Sequence, residues 1–179
     1  MGEVAVATER ARLEELYRQY GSLIARWAAR LGGPRVDIDD LVQEVFVVIA
    51  DKLSEFRGDA KITTWLFRIT ENVVRNRRRR ERHWRWLTMS GGAAAGSSVT
   101  AAPDPAVSLE RSESKARIYR ALEGLSEVHR NTLILFEMEG LSGEEIAELS
   151  GVRLDAVWMR LTRARRQFIR RYLRLERQS

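Results

Sequence analysis

The sequence predicts an all-α fold of two small helical domains joined by a flexible linker, the C-terminal domain being a helix-turn-helix. Apolar residues recur every three or four positions along most of the chain, which is the period of an amphipathic helix. Residues 90–106 are instead rich in Gly, Ala and Ser and hold two of the three prolines, as linkers do. The helical segments on either side do not repeat each other. We therefore set the domains at residues 9–88 and 109–175, with the linker at 89–108.

The first two helices are predicted from their apolar spacing and their end signals. Apolar side chains recur at helical spacing from Leu13 to Leu31, and the Gly-Gly-Pro run at 32–34 ends that helix. Asp37 is placed to cap the second helix, whose apolar positions extend over 41–53.

A third helix follows a break in this pattern. The β-branched run at 45–49 resembles a strand, but helical periodicity on both sides of it favours a continuous helix. Residues 56–59 interrupt the pattern, and we expect Thr63 or Thr64 to start the third helix. That helix runs into a block of arginines, which comprises Arg75, Arg77, Arg78, Arg79, Arg80, Arg82 and Arg85.

The second domain is predicted to contain a helix-turn-helix. Helices at 109–122 and 127–139 precede it. Ser142 and Glu145 have the spacing of a capping box, in which each residue satisfies a free backbone N–H of a short helix. Gly151 suits the positive φ of the turn that follows.

The last helix is strongly cationic. An apolar stripe runs along it from Val157 to Leu173, and no acidic residue lies between Arg160 and Leu175. Its arginines are Arg160, Arg163, Arg165, Arg166, Arg170, Arg171 and Arg174. An ordinary helical hairpin with a solvated face is the alternative, but so many like charges repel each other unless phosphates neutralise them. The pattern therefore favours a DNA-binding helix.

Composition narrows the class of protein further. A formal net charge of +6 at pH 7 and a pI near 10.3 favour an anionic partner. Without cysteine, disulfides and thiolate metal sites are excluded. No apolar run approaches the ~20 residues of a membrane span, and residues 1–8 lack the pattern of a signal peptide. We expect a cytoplasmic protein that does not insert into a membrane.

A cluster of carboxylates at residues 37–46 is the strongest candidate for catalytic chemistry. Such a cluster could form a metal site or an acid–base pair, but acidic residues in a first helical turn more often complement the helix dipole. Neither histidine has a partner at ligand spacing, so we expect no catalytic residue, no metal and no cofactor. Asp40, Gln43 and Glu44 share one helix face, which suits a basic protein partner.

Aromatic residues interleaved with polar ones at 56–72 suggest contact with unpaired bases. We expect Trp65, Leu66 and Ile69 to be mostly core, which leaves the loop 57–63 and the polar helix face for the bases. The arginine block is either a solvated face or a surface for phosphates, and its position at the end of the third helix favours phosphates.

Two sets of motifs, in this order, resemble regions 2 and 4 of bacterial sigma factors. The first set comprises residues 40–46, 56–58 and 64–69 with Asn72. The second comprises residues 125–127, 140–142, 144–147, 160–161 and 163–165 with Arg130. The short linker, with no domain between the regions, is similar to that of the extracytoplasmic-function (ECF) subgroup. The chain is thus identified as a member of that subgroup.

The resemblance implies three interfaces and no enzymatic activity of the chain itself. The coiled coil of the polymerase β′ subunit would bind Asp39, Asp40, Gln43 and Glu44. The −10 element, with its flipped base and melted strand, would contact Arg57, Asp59, Lys61, Thr63, Arg68, Asn72, Arg75, Arg78 and Arg79. The −35 element would contact Trp158, Met159, Arg160, Arg163, Arg165 and Arg166.

The resemblance also implies further partners. The second domain would bind the flap of the β subunit, the linker would thread through the polymerase, and an anti-sigma factor would hold the protein inactive. The chain differs from many relatives at Ala156, Trp158 and Met159, early in the recognition helix. Trp158 could contact a thymine methyl group, the sugar–phosphate backbone or a partner protein.

Two other functions fit parts of the sequence. A stand-alone helix-turn-helix regulator would bind duplex DNA by itself, but residues 40–46 and 64–69 have no role in it. A nuclease or other metal enzyme is supported only by the carboxylates between Asp37 and Glu44.

Overall fold

Seven α-helices and one 3₁₀ turn account for most of the residues that the computed structural model describes, which are 2–34, 36–89 and 105–178. The helices are α1 (Gly2–Gly32), α2 (Ile38–Lys52), α3 (Ile62–Met89), α4 (Pro105–Glu123), α5 (Glu127–Glu137), α6 (Gly143–Ser150) and α7 (Leu154–Glu176), with the 3₁₀ turn at Leu53–Glu55. These residues include no strand, so the all-α prediction is confirmed. Side chains are described for 10–34, 36–84 and 113–178.

In the first unit, α1 packs against α2 and α3, and α2 packs against α3. Its core includes the fully buried Leu41 and Leu66, and Trp27 meets Phe67 edge to face with ring centroids 5.2 Å apart. The predicted cap of α2 is confirmed, because Asp37 accepts a hydrogen bond from the backbone N–H of Asp40 at 3.1 Å.

Helix α3 begins at Ile62, slightly before the predicted Thr63 or Thr64. The carbonyl of Lys61 accepts the backbone N–H of Trp65 at 3.2 Å, so the backbone is already helical there. Thr64 is buried inside the first turn instead of capping it. The predicted break before this helix is confirmed, and Gly58 occupies the left-handed region there with φ of 81°.

In the second unit, α7 packs against α4, α5 and α6, and α5 packs against α6. Val157, Leu161 and Ala164 of the predicted stripe are buried. Leu173 is 46% exposed, so its assignment to that stripe was wrong. It follows the half-buried Tyr172 by one residue, a rotation of about 100° around the helix that turns it away from the core.

Helix α4 begins at Pro105, inside the predicted linker and before Leu109. Proline is compatible with a first helical turn, because its fixed φ is helical and its missing N–H would have no intrahelical partner there. Residues 90–104, which make up most of the predicted linker, lie outside the described part of the chain.

Candidate nucleic-acid and protein interfaces

The predicted helix-turn-helix is formed by α6 and α7. The Ser142 hydroxyl accepts the backbone N–H of Glu145 at 3.2 Å, and the Glu145 carboxylate accepts the backbone N–H of Ser142 at 2.7 Å. Gly151 ends α6 with φ of 64°, which a residue with a Cβ rarely adopts. The predicted capping box and turn are therefore both confirmed, and they fix the chain direction where α7 begins.

One row of exposed side chains on α7 can meet an extended anion. Met159, Arg163, Arg166 and Arg170 are spaced by four, three and four residues, so they lie on one side of the helix. All four are exposed, and Met159 at the N-terminal end is 54% exposed. Three of the residues predicted for the −35 element thus share this row.

The other predicted −35 residues of α7 are placed differently. Trp158 meets Phe136 of α5 edge to face, with ring centroids 5.8 Å apart. The Arg165 guanidinium lies 5.1 Å from the centre of the same Phe136 ring and 2.7 Å from the carboxylate of Glu137. Arg160 is half-buried. Trp158 and Arg165 therefore have partners within the unit that the sequence did not reveal.

On α2, the predicted acidic face is partly neutralised by α3. Asp39, Asp40 and Gln43 are exposed and Glu44 is half-buried. Glu44 forms ion pairs with Arg77 and with Arg80, the latter at 3.0 Å. Arg77 also lies 3.6 Å from a carboxylate oxygen of Asp40.

The arginine block points in three directions. Arg77 and Arg80 turn towards α2, as described above. Arg78 is half-buried and donates to the Gly32 carbonyl at 2.9 Å, where a cation stabilises the C-terminal end of α1. Exposed residues at 68, 72, 75 and 79 form a row on the remaining side, in which Asn72 accepts a hydrogen bond from Arg75.

Most residues predicted for the −10 element are exposed. Arg57, Asp59 and Lys61 lie in the loop before α3, and Arg68, Asn72, Arg75 and Arg79 form the row along that helix, whereas Thr63 is half-buried at its start. Arg78 is half-buried as well, because its guanidinium is held at the end of α1. Helical spacing places Arg79 in the row and Arg78 outside it, but only the packing of α1 shows where the Arg78 guanidinium is held.

A groove of about 1350 Å³ lies between α2 and α3. Valines line it, and Val47 is 68% exposed. Acidic and amide side chains come from α2 and cationic ones from α3. Asp40, Gln43 and Glu44 are among the lining residues, so the predicted protein-docking face borders an apolar surface.

Among the residues that the structure describes, no group of three His, Cys, Asp or Glu side chains could hold a metal ion. No helix in them is both long enough and apolar enough to cross a bilayer.

The contribution of the Glu44 ion pairs to stability can be tested by mutation. Because Arg77 is only 26% exposed and faces the carboxylates of Asp40, Glu44 and Glu81, we expect Arg77→Ala to lower the free energy of unfolding by about 1 kcal/mol at low salt. Arg79→Ala, which removes an exposed neighbour, should change it by less than about 0.5 kcal/mol. Urea unfolding followed by tryptophan fluorescence measures both, since four of the five tryptophans lie between residues 27 and 86. Equal losses in the two variants would contradict the role given to Arg77.

Comparison with known proteins identifies both units. Residues 16–84 match the protein family Sigma-70 region 2, and residues 115–168 match Sigma-70 region 4. RNA polymerase sigma factor YlaC of Bacillus subtilis is 34% identical over 156 residues, which covers 87% of this chain and 89% of YlaC. The ECF RNA polymerase sigma-E factor of Escherichia coli is 31% identical over 158 residues, covering 80% of this chain and 75% of that protein.

A solved structure agrees with these matches. The sigma factor RpoE of Bartonella quintana, in complex with the anti-sigma factor NepR, aligns with a TM-score of 0.58 and 25% identity over 88% of this chain and 94% of RpoE. Two family matches in the expected order, together with relatives that align over most of their length, exclude a stand-alone helix-turn-helix regulator. The chain belongs to the sigma-70 family and is an RNA polymerase sigma factor of the ECF type.

Proposed function

We propose that this chain binds core RNA polymerase, recognises the −10 and −35 elements of a promoter and promotes strand opening for transcription initiation. The observation that carries the proposal is the presence of two exposed cationic rows, on α3 and α7, in separate units. Residues 9–88 act as region 2 and residues 109–175 as region 4. The linker, 89–108, runs through the polymerase between them.

The face of Asp39, Asp40, Gln43 and Glu44 binds the β′ coiled coil of the polymerase. Support comes from its exposure on α2 and from the valine-lined groove beside it, which offers apolar area next to the charges. Because Glu44 is already paired with two arginines, Asp40 and Gln43 make the stronger contacts with a basic partner.

The row on α3 and the loop before it hold the −10 strand. Arg68, Arg75 and Arg79 meet phosphates, while Asn72, the loop from Arg57 to Lys61 and Thr63 at the start of α3 meet a base that has left the stack. The exposure of the whole row supports this assignment. Arg78 contributes indirectly by holding α1 against α3.

The second unit places α7 in the major groove at −35, in the way that helix-turn-helix proteins present their second helix. Met159, Arg163 and Arg166 are its exposed contacts. Arg160, which is half-buried near the start of the same helix, meets a phosphate. This unit also binds the flap of the β subunit.

An anti-sigma factor controls the protein. The matching RpoE structure was solved with the anti-sigma factor NepR bound, which supports the same type of control here. An anti-sigma factor that covered the exposed cationic row on α7 would block DNA binding. One that covered the valine-lined groove would block binding to polymerase.

Run-off transcription tests the proposal as a whole. Purified chain and core RNA polymerase are incubated with a library of randomised promoter sequences, and the transcripts are sequenced. We expect selected templates to share two elements at a fixed spacing, since two units must bind at once. Transcription that core polymerase alone reproduces would contradict the proposal.

Binding to core polymerase is tested by the double variant Asp40→Ala with Gln43→Ala. We expect at least a tenfold weaker affinity, because the change removes a charge and an amide from the docking face. The control, Glu15→Ala with Gln19→Ala, removes the same groups from exposed positions on α1. Fluorescence anisotropy of the labelled chain, titrated with core enzyme, measures both. Equal affinities for the two double variants would remove the docking assignment.

The −35 contact is tested by Arg160→Ala and Arg163→Ala in the holoenzyme. Both changes should weaken promoter binding, and loss of the phosphate contact that we assign to Arg160 should also lower the salt slope of the binding constant by about one. Arg120→Ala, an exposed arginine on α4, serves as the control. Binding measured at four or five salt concentrations gives the slopes. Affinities and slopes equal to wild type in both α7 variants would remove the assignment of this helix to the −35 element.

A further inference from the structure

Trp158 lies directly over the backbone of Gly143, the first residue of α6. A Cβ added to Gly143 would lie 2.6 Å from Cζ2 of Trp158 and 2.9 Å from Cδ1 of Leu154, both shorter than normal contacts. Gly143 is buried, and its backbone is not in the left-handed region. This position therefore needs glycine for space and not for conformation.

The same ring is held from a second helix. Phe136 of α5 meets Trp158 edge to face, an arrangement that the quadrupoles of the two rings favour. Phe136 also contacts Arg165, whose guanidinium is paired with Glu137. Trp158 and Arg165 are seven residues apart, so they lie on the same side of α7 and both face α5.

Met159 belongs to a different side of the helix. One residue rotates the side chain by about 100° around the axis, so the row of Met159, Arg163 and Arg166 is separate from the side that Trp158 and Arg165 share. That row is exposed along its length. Trp158 is itself 43% exposed and Arg165 47%, so their side of the helix is distinguished by its contacts with Phe136 and Gly143 and not by burial.

We propose that Trp158 is a positioning residue that fixes α7 against α6 and α5, and that base contacts at −35 come from the row that starts at Met159. The assignment of base contacts rests on the proposed function of the unit. The positioning role of Trp158 concerns only the packing of the helix-turn-helix. Trp158 thus sets the angle at which the contact row reaches DNA, with Gly143 as the surface against which it lies.

A double-mutant cycle on the full-length chain tests the packing without DNA. We expect Gly143→Ala to lower the melting temperature by roughly 5 °C, because Trp158 blocks the added methyl group. In a Trp158→Ala background, Gly143→Ala should lower the melting temperature by roughly 1 °C or less, since only the flexible end of the Leu154 side chain must move. Met159→Ala is the control and should leave the effect of Gly143→Ala unchanged. An equal effect of Gly143→Ala with and without Trp158 would overturn the positioning role.

Promoter selection by the holoenzyme tests the assignment of base contacts. The templates carry every single-base change in the selected −35 element. Affinity for each template is measured with the wild-type holoenzyme and with holoenzymes that contain Trp158→Phe, Trp158→Ala, Met159→Ala or Arg163→Ala. We expect Trp158→Ala to weaken all templates about tenfold and in the same order, and Trp158→Phe to restore most of the affinity. Met159→Ala or Arg163→Ala should change the order of preference at one position.

Two outcomes would contradict this assignment. Loss of discrimination at a single base pair in Trp158→Ala, with the other preferences intact, would make Trp158 a base-contacting residue. A wild-type holoenzyme without preference at −35 would refute the proposed function of α7 and, with it, the contact row. The melting cycle would still decide whether Trp158 positions the helix.

Discussion

The pairing of Glu44 with Arg77 and Arg80 determines which charges of the first unit remain available to partners. It joins α2 to α3 at a point where each helix carries clustered charge of one sign. Because Glu44 is paired with two guanidiniums, of which that of Arg80 is 61% exposed, the acidic face left for a partner consists of Asp40 and its neighbours, and the proposed phosphate-binding face is the row on α3. Arg79 belongs to both surfaces, because it is part of this row and also lines the groove beside the acidic face.

In the second unit, an aromatic ring and a carboxylate likewise hold one arginine of a cationic helix. Arg165 is drawn to Phe136 and Glu137, so it does not add to the exposed row of α7. In both units, some arginines of a cationic helix stabilise the fold and the others face outwards. The helix-turn-helix can therefore carry a high positive charge and still pack α7 closely against three neighbours.

Much of this could be predicted from the sequence, because helix periods and end signals are local. The cap at Asp37, the capping box at Ser142 and the turn at Gly151 were all correct. What could not be predicted depends on contacts between residues far apart in the chain. Arg78 and Arg79 are adjacent and chemically identical, yet only the packing of α1 determines that Arg78 is held at a helix end. The partners of Trp158 could not be predicted for the same reason, since Phe136 and Gly143 belong to other helices.

The contact between Gly143 and Trp158 also restricts how this protein can diverge. A chain that carries the ring cannot accept a larger residue at 143 without a clash, whereas a chain without the ring meets a weaker barrier. The two positions therefore change in a preferred order, with position 158 first. Such order dependence is epistasis of structural origin, and it lies beside the row of residues that we assign to the promoter. Changes of promoter preference in this lineage would accordingly proceed more easily through Met159 and Arg163 than through Trp158.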